Sequence, residues 1–257
     1  HAHALMEQYD IHDEWTVLRI SVIQMYAELG HFAESESLFW KCWGHKDVVS
    51  CTSMLTICVE NGHQRKAMEI YNKMYEQRII PNEWTIAVIL HGCSTVVEKE
   101  RTSLASVNSE TVEMGHMLHA DASQQGFESY GFVGNNLVRM YGNFGHILEA
   151  EKTFSMLTSP NSVSWMDMLS IYVEHSKPEE ALKLYRQMHD QGVDSDGKTI
   201  VVIIRACCVF ATKEESIIPR ESLSSPKEIS FEIGQALHSD AKRKGSLDSD
   251  IFIVNAL

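Results

Sequence analysis

Nothing in this chain supplies the parts of a catalytic or metal centre. No Cys-x-x-Cys occurs, and the six cysteines lack both metal-ligand and disulfide-framework spacing. Cys207 and Cys208 are adjacent, while Cys51 and Cys58 lie seven apart on one helix face, so the cysteines read as small buried hydrophobes of a reducing compartment. There is no Ser/His/Asp order, no phosphate-binding glycine loop and no clustered acidic metal site. No run reaches the about 18 apolar residues of a membrane span. The best candidate, Thr199 to Ala211, is too short and holds Arg205. Positive charge is scarce as well: 22 Lys and Arg stand against 35 Asp and Glu, a net charge of −13 that is unusual for a nucleic-acid binder.

What the chain does have is repetition. Residues 47–82 laid over 161–196 without a gap give 11 identities, among them Val49/Val163, Met54/Met168, Ala67/Ala181, Tyr71/Tyr185 and Gln77/Gln191. A second pattern, Met25-Tyr26 with Gly30-His31, returns as Met140-Tyr141 with Gly145-His146. A third, Gly115-His116-Met117-Leu118-His119-Ala120, returns as Gly234-Gln235-Ala236-Leu237-His238-Ser239. Three unit types thus follow one another in fixed order. The chain opens late in a third-type unit and stops inside a second-type one, where Asp250 to Leu257 parallels Tyr130 to Leu137; without an initiator Met, it reads as a piece of a longer protein. The missing N-terminus leaves targeting unreadable.

Each unit reads as two helices. Ala67, Ile70, Tyr71 and Met74 fall at i, i+3, i+4 and i+7, the spacing of a helical stripe. Asn61-Gly62 upstream and Pro81-Asn82 downstream are helix stops. A two-helix unit cannot bury its own apolar face and must stack on its neighbours. The expected fold is all-α, a right-handed α-solenoid of stacked helix-turn-helix repeats, which binds along an extended surface rather than in one pocket.

These units resemble pentatricopeptide repeats (PPR), and more narrowly the plant-type PLS subclass with alternating P, L and S motifs. The P-type likeness lies in Val48 to Met54, Ser162 to Met168 and Ala181 to Tyr185 with Met188. The S-type likeness lies in Phe132 to Leu137, Met140-Tyr141 and Gly145, and the L-type in Gly115, Leu118-His119-Ala120 and Gly126 to Ser129. Tetratricopeptide repeats share the hairpin but not this alternation. The resemblance divides the chain into residues 1–15 (end of an L-type unit), 16–47 (S), 48–82 (P), 83–130 (L with an inserted loop), 131–161 (S), 162–196 (P), 197–250 (L with an inserted loop) and 251–257 (start of an S-type unit).

The resemblance implies binding of single-stranded RNA at about one base per repeat, read by two or three side chains. In the family the readers are the fifth and last residues of a repeat. Here these are Thr52/Asn82 and Met166/Asp196 in P-type units, and Ile20/Asp47 and Asn135/Asn161 in S-type units, with Asn255 opening a further one. Thr with Asn resembles the family's adenine pair and Asn with Asn its pyrimidine pair. Met166, Ile20 and the L-type Ala87 and Val201 are poor readers. The family's second position is a wedge on which bases stack: Val17, Val49, Phe132, Val163 and Phe252. Packing between hairpins would select the same residue types. The implied setting is a mitochondrion or chloroplast, with organellar RNA and other editing or processing proteins as partners, and no cofactor, DNA or membrane.

Two departures from the family stand out. Its members often carry Lys at position 13, near the RNA backbone, where this chain has Glu28, Glu60, Asn143 and Glu174. Carboxylates there oppose phosphate binding. The L-type units are also swollen, and Glu98 to Thr111 and Lys213 to Glu228 read as mobile inserted loops. Relatives of the PLS type often end in a zinc deaminase, which needs H-x-E and P-C-x-x-C. His12-Asp13-Glu14 fits the first element, but the second is missing, so the chain reads as non-enzymatic up to Leu257. The competing reading, carried by the acidic charge and the loops, is a protein-interaction scaffold.

Overall fold

The computed structural model describes residues 14–45, 47–102 and 109–213. Among them are eleven α-helices and one 3-10 turn (Trp43–His45), and no strand. The helices are α1 (Glu14–Glu28), α2 (Phe32–Lys41), α3 (Val48–Glu60), α4 (Gln64–Glu76), α5 (Glu83–Thr102), α6 (Ser109–Gln124), α7 (Gly131–Phe144), α8 (Ile147–Met156), α9 (Ser162–Glu174), α10 (Pro178–Asp190) and α11 (Gly197–Lys213). Two compact units hold them, one comprising residues 1–127 with α1 to α6 and the other residues 128–257 with α7 to α11. No helix among the described residues is long and apolar enough to cross a membrane.

The period in the sequence explains which face each helix buries. In α4 the stripe Ala67, Ile70, Tyr71 and Met74 is buried, and in α10 it is Pro178, Ala181, Leu182, Leu184 and Met188. Pro178 suits the first turn of α10, where its missing N–H removes no helical bond, and Glu179 and Glu180 complement the helix dipole. In the first unit, α3 packs against α1 and α5 as well as its own hairpin partner α4. In the second, α9 sits between α7 and α11. First helices therefore form a row within each unit, and the second helices close its other side. Tyr71 of α4 donates to Asp121 of α6 at 2.9 Å, and burial pushes its phenol well above the usual range.

The hairpin turn needs one residue with positive φ. Gly62 provides it at +76° between α3 and α4. In the second copy Ser176 stands in the same place at +55°, a left-handed conformation that costs a side chain about 1–2 kcal/mol. Close approach fixes another glycine: a Cβ on Gly134 would lie 2.2 Å from Leu157 Cδ2 and 2.8 Å from the Glu128 carbonyl.

The first expected loop is largely helix. Glu98 to Thr102 continues α5, and Ser109 to Thr111 begins α6, with Val97 and Thr111 buried. Glu98-Lys99-Glu100-Arg101 are all good helix formers, so charge alone did not mark a loop here. Residues 103–108 lie outside the described residues, as does Glu214 to Glu228 of the second expected loop, whose Lys213 ends α11. The cysteines split: Cys51, Cys58, Cys93 and Cys207 are buried, with burial pushing the Cys58 and Cys93 thiols up to about 12 and Cys207 to about 11, whereas Cys208 is exposed.

Candidate functional site

A helix turns 100° per residue, so the second, fifth, sixth, ninth and thirteenth residues of a unit's first helix share one face. On α3 these are Val49, Thr52, Ser53, Thr56 and Glu60, and none is buried. On α7 they are Phe132, Asn135, Asn136, Arg139 and Asn143, again with none buried. On α9 Val163, Met166, Ser170 and Glu174 are accessible, and only Asp167 is buried. A stripe thus recurs on successive first helices, running from an apolar residue through hydroxyls and amides to a polar end. The expected wedges each keep an exposed apolar surface: 70% for Val17, 56% for Val49, 48% for Phe132 and 44% for Val163.

The last residue of each P- and S-type unit has a structural duty, because its side chain caps the next first helix, whereas Tyr130 at the end of the L-type unit makes no side-chain cap bond to α7. The Asp47 carboxylate accepts from the Ser50 N–H at 2.7 Å, Asn82 Oδ1 from Thr85 at 2.9 Å, Asn161 Oδ1 from Ser164 at 3.1 Å and Asp196 Oδ1 from Thr199 at 2.8 Å. Each satisfies one of the orphan donors of a helix start. A backbone N–H demands an oxygen, so the cap fixes how the amide is turned. In Asn82 and Asn161 the oxygen is committed and the NH2 group remains as the outward donor. In Asp47 and Asp196 the second carboxylate oxygen remains as an acceptor.

In the first unit the fifth and last positions are physically joined. Thr52 Oγ1 lies 2.7 Å from Thr85 Oγ1, and the Thr85 hydroxyl donates to Asn82 Oδ1 at 2.8 Å. With its proton given to Asn82, Thr85 can only accept from Thr52, whose other acceptor is the Val48 carbonyl at 2.7 Å. The Thr52 proton is satisfied inside the protein either way. Its hydroxyl therefore meets an incoming group as an acceptor, beside the Asn82 NH2 donor. Thr85 is fully buried, and Thr52 and Asn82 are half-buried.

In the second unit Asn135 is half-buried, and its Oδ1 is buried without a hydrogen-bond partner among the described residues. Met166 offers no hydrogen bond, and Ile20 of the first unit offers none either. Arg139 Nη2 lies 2.9 and 3.1 Å from the two oxygens of Asp167. Burial holds the Asp167 carboxyl above the usual carboxylate range, although the Arg139 charge pulls the other way. Glu28, Glu60 and Glu174 are all exposed at the far end of their stripes. No group of three or more His, Cys, Asp or Glu able to hold a metal occurs among the described residues. Asn255 and Phe252, expected as reader and wedge of the last unit, lie outside the described residues.

Two stripe residues escaped the sequence reading. Trp84, 56% exposed, stands two residues after the Asn82 cap on α5, and exposed Lys198 stands two after the Asp196 cap on α11. Counting from each cap would have found both. Ala87 is buried and Val201 half-buried, so the L-type fifth positions carry no polar group to the surface.

Helical hairpins stacked in rows, each repeat presenting one such stripe, define a helical-repeat protein. The PPR repeat family matches residues 46–95 and 160–209. Over 197 residues the chain is 31% identical to the Arabidopsis thaliana pentatricopeptide repeat-containing protein At3g22150, chloroplastic, covering 76% of this chain and 22% of that one. It is 27% identical to At2g33680 over 235 residues (91% and 30% covered) and 25% identical to At3g09040, mitochondrial, over 213 residues (83% and 19%), both also pentatricopeptide repeat-containing proteins of Arabidopsis thaliana. The chain thus spans less than a third of these relatives' length. Among solved structures, the fold matches the pentatricopeptide repeat protein PPR10 in complex with an 18-nt psaJ RNA element at a TM-score of 0.56 and 17% identity, covering 88% of this chain and 33% of that one. The chain belongs to the pentatricopeptide repeat family.

Proposed function

We propose that this chain is a base-reading module for single-stranded RNA, non-catalytic in itself, within a PLS-type factor for editing or processing organellar transcripts. The observation that carries the reading is the Thr52–Thr85–Asn82 chain of hydroxyls and amide. It sets an acceptor beside a donor on an accessible stripe, next to the exposed wedge Val49. The Watson–Crick edge of adenine is the complement, with its N6 amino group donating to Thr52 and its N1 accepting from Asn82. Guanine reverses both polarities. PPR10 is named as an RNA complex, and At3g22150 and At3g09040 are named as chloroplastic and mitochondrial. Together these names favour an organellar RNA as the partner.

Fluorescence anisotropy over an array of single-stranded oligoribonucleotides, with one base varied at a time, tests the proposal. Family members bind RNA in parallel, so the expected preference is an adenine followed two bases later by a pyrimidine, with the base between them indifferent. Equal affinity for every base would end the reading. The exposed glutamates would then favour the protein-interaction scaffold.

A further inference from the structure

The lysine position implied by the resemblance holds Asn143 and Glu174 in the second unit, so a phosphate backbone finds no cation there. The cations sit one turn closer to the readers. At the ninth position α7 carries Arg139, α9 carries Ser170 and α11 carries Arg205, which is exposed. All three are phosphate-binding side chains. Four residues separate Arg139 from the reader Asn135, about 6 Å along the helix axis.

Arg139 is already shaped for such a contact. Its side chain is 40% exposed, while that of Asp167 is 8% exposed. Both Asp167 oxygens are bonded through Nη2 alone. No other partner of Arg139 is present among the described residues, so its Nη1 and Nε hydrogens are left for a second anion. The carboxylate restrains a side chain that would otherwise lose rotamer entropy on binding, and it lies on the same stripe, buried beneath the cation it holds.

We propose that the backbone of a bound strand crosses the second unit over Arg139, Ser170 and Arg205, with Arg139 gripping a phosphate. This rests on the RNA-binding reading above. The phosphate row is displaced by one helical turn from the position the family resemblance implies, and this reconciles an acidic chain with an anionic ligand.

The informative variant is Arg139→Gln/Asp167→Asn, which replaces the ion pair by an amide pair, leaves no unpaired buried carboxylate and keeps the net charge at its present value. Binding of the whole chain to a fluorescein-labelled oligoribonucleotide pool of random sequence is measured from 50 to 200 mM salt, with thermal melts by circular dichroism alongside. One phosphate contact on a single strand contributes about 0.7 to the log–log salt slope. The parent should therefore lose about 2.6-fold more affinity than the variant across that range. Asp167→Asn alone keeps the cation and should bind at least as tightly as the parent, with the same slope. An unchanged slope in the double variant, while the parent binds RNA, overturns the phosphate assignment and leaves the pair a packing feature. A loss in Asp167→Asn equal to that of the double variant also overturns it, since the effect would follow the carboxylate and not the cation. A parent that binds no RNA sinks the RNA reading itself, and this proposal with it.

Discussion

Replacing Asn82 by aspartate separates the two duties of one side chain. The cap needs an oxygen facing the Thr85 N–H, now 2.9 Å away, and a carboxylate supplies one as well as an amide does. Its charge at the start of α5 is favourable by about 0.3–1 kcal/mol. The variant should therefore melt at or slightly above the parent's temperature. Asn82→Ala, which removes the cap, should cost about 0.5–2 kcal/mol.

The base preference should move from adenine toward guanine in the Asn82→Asp variant. The new carboxylate turns an acceptor outward where Asn82 has its NH2 donor, so adenine N1 meets an acceptor and guanine N1–H meets a partner. Thr52 keeps its proton on the Val48 carbonyl or Thr85 and presents the same acceptor as in the parent, so the change at residue 82 alone carries the shift. Gaining one hydrogen bond and leaving another unmade amounts to about 1–3 kcal/mol, which is about 5- to 150-fold in the guanine-to-adenine affinity ratio. The ratio is the quantity to measure, because the added negative charge weakens binding to every sequence alike. Anisotropy titrations with two oligoribonucleotides differing only at that base give it directly. A folded Asn82→Asp protein with an unchanged guanine-to-adenine ratio would refute the donor–acceptor argument, and with it the claim that the cap orients the reader.

Two further expectations follow from packing and charge. Gly134→Ala forces a Cβ to within 2.8 Å of the Glu128 carbonyl, a backbone atom that cannot swing aside, and should lower stability by about 1–3 kcal/mol in denaturant unfolding, whereas a cost near zero would mean that α7 shifts freely. Arg139→Gln alone removes the attraction that now restrains the Asp167 pKa, so burial pushes the folded value further above the unfolded one. A raised folded pKa gives stability that is complete below the unfolded value and lost as pH rises through the folded one. The variant should thus melt progressively lower than the parent from pH 4 to pH 7; parallel melting curves would show that Asp167 is well solvated.

The parts of the fold legible in the sequence are those written in short-range period. The stripe of Ala67, Ile70, Tyr71 and Met74 follows from helical spacing alone, and all four are buried. Glu98 to Thr102 is helix although its charged composition resembles a loop, because its helix propensity points the other way. The Arg139–Asp167 pair spans 28 residues and depends on how α9 lies against α7, which no local pattern encodes. Thr85 escaped notice for a different reason. It is buried and contacts no solvent, yet it transmits the position of Asn82 to Thr52.

That linkage bears on why so few residue types suit the last position of a repeat. In the P- and S-type units the residue there accepts a backbone N–H at the start of the next helix, a duty that favours Asn, Asp, Ser and Thr. Of these, Ser and Thr spend their only oxygen on the cap and have little reach left for a base. Asn keeps a donor and Asp keeps an acceptor, so the position offers a two-valued signal fixed by the fold. The fifth position, on the open face of the helix, supplies the second signal and escapes the capping constraint, which is why Thr52, Asn135, Met166 and Ile20 vary there while Asp47, Asn82, Asn161 and Asp196 do not stray from two residue types. Part of the chain's acidity has the same origin. Asp47 and Asp196 are carboxylates because a helix start favours them, and their charge at the stripe must then be offset by cations on it, of which Arg139 and Arg205 hold the ninth position of the second unit.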